Sequence, residues 1–211
     1  MRIAAIVPYK NRAPQLPRLL HALKAYDMDV LIVEPVSSGS FYKGWLFNVA
    51  VDMLRARAYN CIVLHDVDYL PLANVTYDAC VEPTQVVTTV HAGKAQVAPV
   101  YGSAGVMTIA PAHYRLANGF SNLYYGWGGE DDDFSWRLTS SGHPLQHAKH
   151  GLFRHMQTGH TQRDVSNYKT TQKLLNSAAA RKSTDGMNSL RYKVSSYIGS
   201  PKLAWALVDV D

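Results

Sequence analysis

Apolar and polar residues alternate along the first third of the chain in blocks that predict strands and helices in turn. Short apolar runs at residues 3–8, 29–34 and 61–65 have the length and composition of buried strands. Leucines at helical spacing predict a helix over 13–26, and the segment 43–58 predicts a second one. Successive strand–helix–strand units predict an open α/β sheet with right-handed crossovers.

The rest of the chain is less regular. Residues 85–109 predict several short strands broken by glycines, 130–141 a helix whose first turn carries acids, and 190–210 closing strands. The loosely composed segment 177–186 predicts a mobile loop or a short helix rather than a linker between domains. We find no internal repeat, so we expect a single domain over residues 1–211.

Composition narrows the function classes. A chain with 47% hydrophobic and 18% charged residues is typical of a globular protein and excludes a disordered one. The net charge of +5 does not indicate nucleic-acid binding, because the basic residues are scattered and form no recognised binding module.

The two cysteines and the start of the chain bear on the compartment. Cys61 and Cys80 do not have metal-ligand spacing. We expect two buried thiols and leave a disulfide between them open. Met1 leads almost directly into the first predicted strand, which leaves no room for a signal peptide or membrane anchor before it, and this favours a cytoplasmic location.

Two acidic elements carry the candidate chemistry. Asp66 and Asp68 end a buried apolar run, and with the period-two geometry of a strand we expect both to project to one face at its carboxyl end, where ligands of open α/β sheets collect. Two such carboxylates favour a divalent cation, although aspartates also close strands at turns. The second element, 130–133, is a run of four acids directly after Gly128 and Gly129. Such clustering indicates charge needed at one place, or an acidic first turn of a helix.

These motifs together resemble the β-1,4-galactosyltransferases. The supporting segments occur in family order across nearly the whole chain: 8–12, 47–50, 65–71 (His-Asp-Val-Asp-Tyr-Leu-Pro), 118–120 (Asn-Gly-Phe), 126–133 (Gly-Trp-Gly-Gly-Glu-Asp-Asp-Asp) and 185–190. The resemblance implies a GT-A nucleotide-sugar-binding fold, an open mixed sheet flanked by helices. It also implies inverting, metal-dependent transfer of galactose from UDP-galactose to a hydroxyl of an acceptor sugar, in β-1,4 linkage. Animal members are Golgi proteins, so the Golgi lumen is the alternative location for a trimmed catalytic domain.

The resemblance implies a metal site with Mn²⁺ as the cofactor, other divalent cations being alternatives. Asp68 and His155 match family ligands. Leu152 stands where the family has a methionine ligand, and leucine cannot coordinate a metal. A water or a neighbour such as Gln157 or His160 is then expected to fill that position.

The resemblance also assigns the acceptor side. Asp131 is the expected catalytic base, and crowding by like charges should raise a carboxyl pKa and help it accept a proton. The expected acceptor-binding residues are Tyr125, Gly128, Gly129, Glu130 and Asp132. Tyr125 replaces a tryptophan usual in the family.

The expected donor-binding residues lie in three segments. They are Pro8, Asn11, Arg12, Lys43, Asp66, Val67 and Trp127. Trp127 offers an aromatic face for a sugar, or serves as a packing anchor. Lys43 stands where the family often has arginine, which keeps the charge and loses the bidentate fork.

The sugar specificity stays open. Donor choice in the family depends on a position that corresponds to Gly102 or to its neighbour Tyr101: glycine would leave room for UDP-N-acetylgalactosamine, and tyrosine favours UDP-galactose, which we expect. N-acetylglucosamine, glucose and xylose are alternative acceptors. From other classes, a metal-dependent sugar-nucleotide hydrolase and a non-catalytic carbohydrate-binding protein remain alternatives.

Overall fold

Two sheets organise the chain in the computed structural model, which describes residues 1–37, 41–91, 97–99, 105–126, 128–156 and 167–209. The strands are β1 Ile3–Pro8, β2 Asp29–Pro35, β3 Cys61–His65, β4 Tyr69–Ala73, β5 Thr84–Gln85, β6 Thr89–His91, β7 Val97–Pro99, β8 Val106–Ile109, β9 Gln146–His147, β10 Leu152–His155, β11 Lys193–Gly199 and β12 Leu203–Asp209. The α-helices are α1 Leu16–Leu23, α2 Lys43–Leu54, α3 Pro111–Leu116, α4 Glu130–Ser140, α5 Tyr168–Asn176 and α6 Ala178–Arg181. The 3₁₀ turns are Arg55–Arg57 and Met187–Ser189.

The larger sheet is mixed. Within the described residues its strand order is β11-β12-β2-β1-β3-β8-β5-β9, and the smaller sheet has the order β4-β10-β6-β7. The strands β12, β2, β1 and β3 run parallel, whereas β8 is antiparallel to β3. The α/β units predicted from the sequence are confirmed, because α1 and α2 are the crossovers that make β1, β2 and β3 parallel.

Helices cover both faces of the larger sheet. Alternate residues of a strand point to opposite faces, so Ala4 and Ile6 of β1 pack into one apolar cluster, with α2 and α4, while Ala5 and Val7 pack into another, with α1. The predicted fold class, a mixed sheet flanked by helices, is therefore confirmed. None of the helices in the described ranges is long and apolar enough to cross a membrane.

Some predicted boundaries were wrong. The helix predicted over 13–26 is limited to Leu16–Leu23, with a proline in its first turn, and its last residues form tighter turns such as Ala25 N to Ala22 O. The helix predicted over 43–58 ends at Leu54, followed by the 3₁₀ turn, and Ala58 has a left-handed φ of 50°. Segment 177–186 contains the short helix α6, one of the two predicted alternatives.

The expectation of two buried thiols was wrong, because Cys61 and Cys80 form a disulfide. Cys61 begins β3, and the loop after β4 returns Cys80 to it with a Cα–Cα distance of 5.7 Å. The sequence separation of 19 closes a loop for which chain entropy alone is worth about 3 kcal/mol. The bond therefore fixes the segment that leads out of β3 and past the acidic element.

Candidate active site

The acidic elements and the N-terminal motif meet at one edge of the larger sheet. Since β1 and β3 are parallel neighbours, their carboxyl ends lie side by side. Pro8 ends β1, and Asn11, with a left-handed φ of 52°, and Arg12 follow it. Asp66 and Asp68 follow β3. The expected donor-binding segment and the expected metal-binding segment are thus adjacent.

The expectation that Asp66 and Asp68 share a strand face was wrong. β3 ends at His65, and the next three residues form a turn in which Asp66 N donates to Gly105 O at 2.8 Å and Tyr69 N to Asp66 O at 3.3 Å. The turn directs the two carboxylates to different partners. Asp66 faces Lys43 at 3.7 Å, and Asp68 faces His155.

Asp68 and His155 form a pair suited to a cation. The antiparallel pairing of β4 with β10 places His155 beside Tyr69, and Met156 N donates to Asp68 O at 2.7 Å. Asp68 Oδ2 and His155 Nε2 are 3.4 Å apart. Ligands ~2.2 Å from an octahedral cation are roughly 3.1 Å apart, so the pair fits one with little movement. The hydrogen bond to Asp68, followed by its charge, raises the pKa of His155 despite burial.

Leu152 occupies the position of the third expected metal ligand. Leu152 begins β10, three residues before His155, and pairs with Ala73. Gln157 and His160, the neighbours that we expected to substitute for a methionine, lie outside the described residues. The described part of the chain thus shows two of the expected ligands together.

Lys43 is the centre of the acidic cluster. It is the first residue of α2, and its Nζ lies 2.8 Å from Asp131 Oδ2 and 2.9 Å from Glu130 Oε1, besides Asp66 at 3.7 Å. Its side chain is 12% exposed and that of Asp131 24%. One cation therefore holds together carboxylates from the turn after β3 and from the start of α4.

Burial and this shared lysine set the protonation of the cluster. Burial raises the pKa of Asp131 to about 6, although Lys43 opposes the rise, and Glu130 adds to it. Burial likewise raises the pKa of Asp66 to about 7 against the pull of Lys43. Burial is the largest single influence on Glu130, but the charge and hydrogen bond of Lys43, together with backbone hydrogen bonds, outweigh it and lower the pKa of Glu130. The pKa of Lys43 is well above its usual value because its three acidic partners outweigh burial. Asp131 is therefore poised to exchange a proton near neutral pH.

Glycines shape the loop that presents these acids. Gly128 and Gly129 have φ values of 104° and 87°, and Gly129 caps α4. A Cβ on Gly129 would lie 2.4 Å from Thr171 Cγ2 and 2.9 Å from Tyr124 Cε1, so glycine is required there on both grounds. Gly128 N donates to Glu130 Oε2 at 3.1 Å.

The four consecutive acids have different surroundings because helix geometry turns successive side chains by about 100°. Glu130 and Asp131 face Lys43, whereas Asp132 is exposed. Asp133 is fully buried and pairs with Arg137, with Arg181 Nη2 at 2.9 Å and with the Tyr124 hydroxyl at 3.0 Å. Asp133 thus belongs to an internal network that anchors α4.

The remaining predicted residues lie near the acidic loop, in the apolar core or outside the described residues. Tyr125 is 40% exposed and its ring centroid lies 6.0 Å from that of Tyr42, near the acidic loop. Val67 is buried in the apolar cluster below the turn and presents little surface. Trp127, Tyr101 and Gly102 lie outside the described residues.

Two site neighbours were missed from the sequence. Tyr69 has its ring centroid 5.1 Å from that of His155, and burial, with Asp66 and Asp68 adding to it, raises its pKa to about 12. His65 is fully buried, with Nε2 3.2 Å from the Tyr77 hydroxyl, and burial lowers its pKa to about 4. Their positions directly beside the two aspartates were the available signal.

A cavity of about 410 Å³ opens beside His155, between β10 and the start of α1. Its lining includes Arg18, His91 and Arg154. The two arginines place positive charge beside the candidate metal position, which suits an anionic ligand such as a diphosphate.

Two sequence families match the chain. One is described as the N-terminal region of glycosyl transferase group 7 and matches residues 1–81, and the other is described as the N-terminal domain of galactosyltransferase and matches 91–161. β-1,4-Galactosyltransferase 6 of Rattus norvegicus is 29% identical over 201 residues, which cover 90% of this chain and 52% of the rat protein. A β-N-acetyl-D-glucosaminide β-1,4-N-acetylglucosaminyl-transferase of Lymnaea stagnalis is 34% identical over 163 residues, 72% of this chain and 33% of that protein. The chain spans about half the length of most of the curated relatives it matches.

Solved structures show the same fold. The catalytic domain of Drosophila β1,4-galactosyltransferase 7, in complex with xylobiose, has a TM-score of 0.78 at 24% identity and covers 100% of this chain and 94% of that one. A mutant of that enzyme, in complex with manganese, UDP-Gal and xylobiose, has a TM-score of 0.79 at 23% identity, with the same coverage. The predicted GT-A fold is confirmed.

Proposed function

The chain belongs to the glycosyltransferase group 7 family, that of the β-1,4-galactosyltransferases, and from this premise we propose that it is an inverting, metal-dependent galactosyltransferase. It transfers galactose from UDP-galactose to a hydroxyl of an acceptor sugar, with a β-1,4 linkage expected. The observation that carries the proposal is the placement of Asp131, a partly buried acid paired with Lys43, at the same sheet edge as the Asp68–His155 pair.

We assign the metal to Asp68 and His155, whose facing ligand atoms fit a divalent cation, with Mn²⁺ as the expected ion. A cation bound there would supply Lewis-acid stabilisation of the negative charge on the leaving diphosphate. The basic lining of the adjacent cavity, Arg18 and Arg154, lies where it would add positive charge for the same diphosphate. Tyr69 packs against His155 and limits its ring orientation.

Asp131 is the proposed base. The acceptor hydroxyl gives its proton to the Asp131 carboxylate while its oxygen bonds to the anomeric carbon, and the electron pair of the broken bond leaves with UDP. Attack opposite the leaving group inverts the anomeric centre and gives a β-linked product from an α-linked donor. Burial favours this role because it raises the pKa of Asp131 to about 6, which leaves the group ionised at neutral pH and still basic.

Lys43 has a dual role in this proposal. Its contacts with the buried Glu130 and the partly buried Asp131 and Asp66 keep the three carboxylates compatible with the fold, and it remains within the segment expected to bind the donor. The other proposed donor contacts are Pro8, Asn11, Arg12, Asp66, Val67 and Trp127. The proposed acceptor contacts are Tyr125, Gly128, Gly129, Glu130 and Asp132.

The identity of the donor sugar is the most specific part of the proposal. The Lymnaea relative is named as an N-acetylglucosaminyl-transferase, so not every relative of this chain is named for the transfer of galactose. We keep UDP-galactose as the proposed donor and UDP-N-acetylgalactosamine as the alternative, since the donor-selecting position, Gly102 or Tyr101, lies outside the described residues.

We further propose that the chain acts as one catalytic domain, because its two apolar clusters lie on the two faces of a single sheet. The cytoplasmic location expected from the sequence stays a prediction. The Cys61–Cys80 disulfide argues for an oxidising compartment instead, since cytosolic glutathione keeps such pairs reduced. Counting free thiols in protein isolated under alkylating conditions decides between the two.

The experiment that tests the function measures UDP release from UDP-galactose, UDP-N-acetylgalactosamine and UDP-N-acetylglucosamine with Mn²⁺, each with and without N-acetylglucosamine, glucose and xylose. We expect release that one acceptor stimulates, that chelation abolishes and that Asp68→Ala removes. Asp78→Asn, an exposed acid outside the site, is the matched control. Acceptor-independent release would indicate a hydrolase, and binding without release a carbohydrate-binding protein.

A further inference from the structure

A second cluster of metal-ligating side chains lies at the opposite end of α4 from the acidic cluster. Glu82, His113 and His143 each offer a ligand atom, and these three atoms all lie within 4.8 Å of one another. Since α4 has 11 residues, its length places this cluster roughly 16 Å from Glu130. The cluster is therefore separate from the Asp68–His155 pair.

The backbone around the cluster is fixed by local hydrogen bonds. His143 lies in the turn after α4, where its N donates to Leu138 O at 3.0 Å. Ser141 Oγ donates to Leu116 O at 3.2 Å and ties that turn to the end of α3, the helix that carries His113. On the third element, Thr84 Oγ1 donates to Glu82 O at 2.9 Å at the start of β5. Three separate elements thus present one ligand each in a preformed arrangement.

The contacts among these three side chains do not use all of the atoms that could bind a metal. His143 Nδ1 lies 3.0 Å from Glu82 Oε2, and the His113 and His143 rings stack with centroids 3.7 Å apart and planes at 19°. Nδ1 of His113 is buried and has no hydrogen-bond partner among the described residues. A buried polar atom left in this way costs about 1–3 kcal/mol, and in a native structure it calls for an explanation.

We propose that Glu82, His113 and His143 bind a Zn²⁺ ion that joins α3, the turn after α4 and the loop before β5. Two imidazoles and a carboxylate form a three-ligand set that zinc accepts, with a water in the fourth position, and nitrogen-rich sites favour zinc over manganese. A cation at this place also lies at the carboxyl-terminal end of α4, where the helix dipole favours positive charge. The proposal stands independently of the transferase assignment.

The test is Zn²⁺ titration of the chelator-treated full chain by calorimetry, compared across four variants. His143→Gln and Glu82→Gln each remove one proposed ligand, while Asp68→Asn impairs the other candidate metal site and His150→Gln changes an exposed histidine outside both. Removal of a ligand should weaken Zn²⁺ binding by at least ~100-fold, beyond the 10–100-fold typical of changes to groups that only support ligands. Asp68→Asn and His150→Gln should retain the wild-type affinity for this site.

Folding is controlled separately. Glu82 is 43% exposed at its side chain, so Glu82→Gln disturbs packing little, and circular dichroism in chelator should match the wild type for every variant. Zn²⁺ should raise the melting temperature of the wild type and of Asp68→Asn, and not that of His143→Gln. If Asp68→Asn binds no Zn²⁺, or if His143→Gln and Glu82→Gln bind it like the wild type, the proposal is wrong and the cluster is a stacked histidine pair hydrogen-bonded to a glutamate.

Discussion

Replacing Lys43 with methionine should move the pH dependence of the reaction as well as its rate. Lys43 Nζ lies 2.8 Å from Asp131 Oδ2 and opposes the effect of burial, which leaves the pKa of Asp131 at about 6. An opposite charge at contact lowers a carboxyl pKa by ~1–3 pH units, so its removal should raise the pKa of Asp131 to roughly 7–9. The base acts in its ionised form, so activity rises as pH increases through this pKa.

The size of the effect at neutral pH follows from these values. With a pKa of about 6, Asp131 is ~90% ionised at pH 7, and with a pKa of roughly 8 it is ~10% ionised. Lys43→Met should therefore lose about tenfold in kcat/KM for the acceptor at pH 7 through ionisation alone, and recover that factor at high pH. Any loss of donor affinity lowers the rate by a further factor, which does not follow the ionisation of Asp131.

The assay is the pH profile of kcat/KM for the acceptor at saturating donor and metal. Lys43→Arg is the matched control, because it keeps the charge and should keep the acidic limb near pH 6. Circular dichroism checks that both variants fold. A Lys43→Met profile that is lower at every pH but has its limb at the wild-type position would refute the electrostatic role of Lys43.

Three further changes test the structure around the site. Gly129→Ala forces a left-handed φ on alanine and brings its Cβ to 2.4 Å from Thr171 Cγ2. Urea unfolding should therefore show that the free energy of unfolding falls by at least ~1–3 kcal/mol, and an unchanged value would contradict the cap geometry. Cys80→Ser should lower the unfolding free energy by about 2–4 kcal/mol, and reductant should bring the wild type to the same melting temperature but leave the variant unaffected. Asp133→Asn removes the carboxylate shared by the fully buried Arg137 and by Arg181, and leaves Arg137 with Asp185 as its carboxylate partner. It should cost about 3–5 kcal/mol in denaturant unfolding, and a cost under 1 kcal/mol would mean that the network is not structural.

The fold was largely predictable because its central strands are continuous apolar runs. β1, β2 and β3 are buried on both faces, and such strands leave a clear mark in the sequence. The six-residue helix α3 was missed, since a helix of that length carries too few periodic positions to recognise. The Cys61–Cys80 bond also could not be assigned, because two cysteines at this spacing fit free thiols equally well.

The candidate site was less predictable from the sequence than the fold. The residues of the acidic loop and of the turn after β3 were identified from motifs, but their partners depend on tertiary structure. Lys43 lies 88 residues before Asp131, and no local pattern links the two. The shared face expected for Asp66 and Asp68 was wrong because β3 ends at His65, three residues before Asp68. Local sequence patterns identified the acidic residues of the site, but only the fold shows which charged side chains contact one another.

The most direct test of the account is the turnover of Asp131→Asn compared with the wild type and with Asp78→Asn, measured as acceptor-dependent UDP release with Mn²⁺ at saturating UDP-galactose. Asparagine keeps the size of the side chain and removes the base, so kcat should fall by ~10²–10⁴ while donor affinity changes little and Asp78→Asn stays near the wild-type rate. A folded Asp131→Asn protein with near-normal kcat would contradict the assignment of Asp131 as the base.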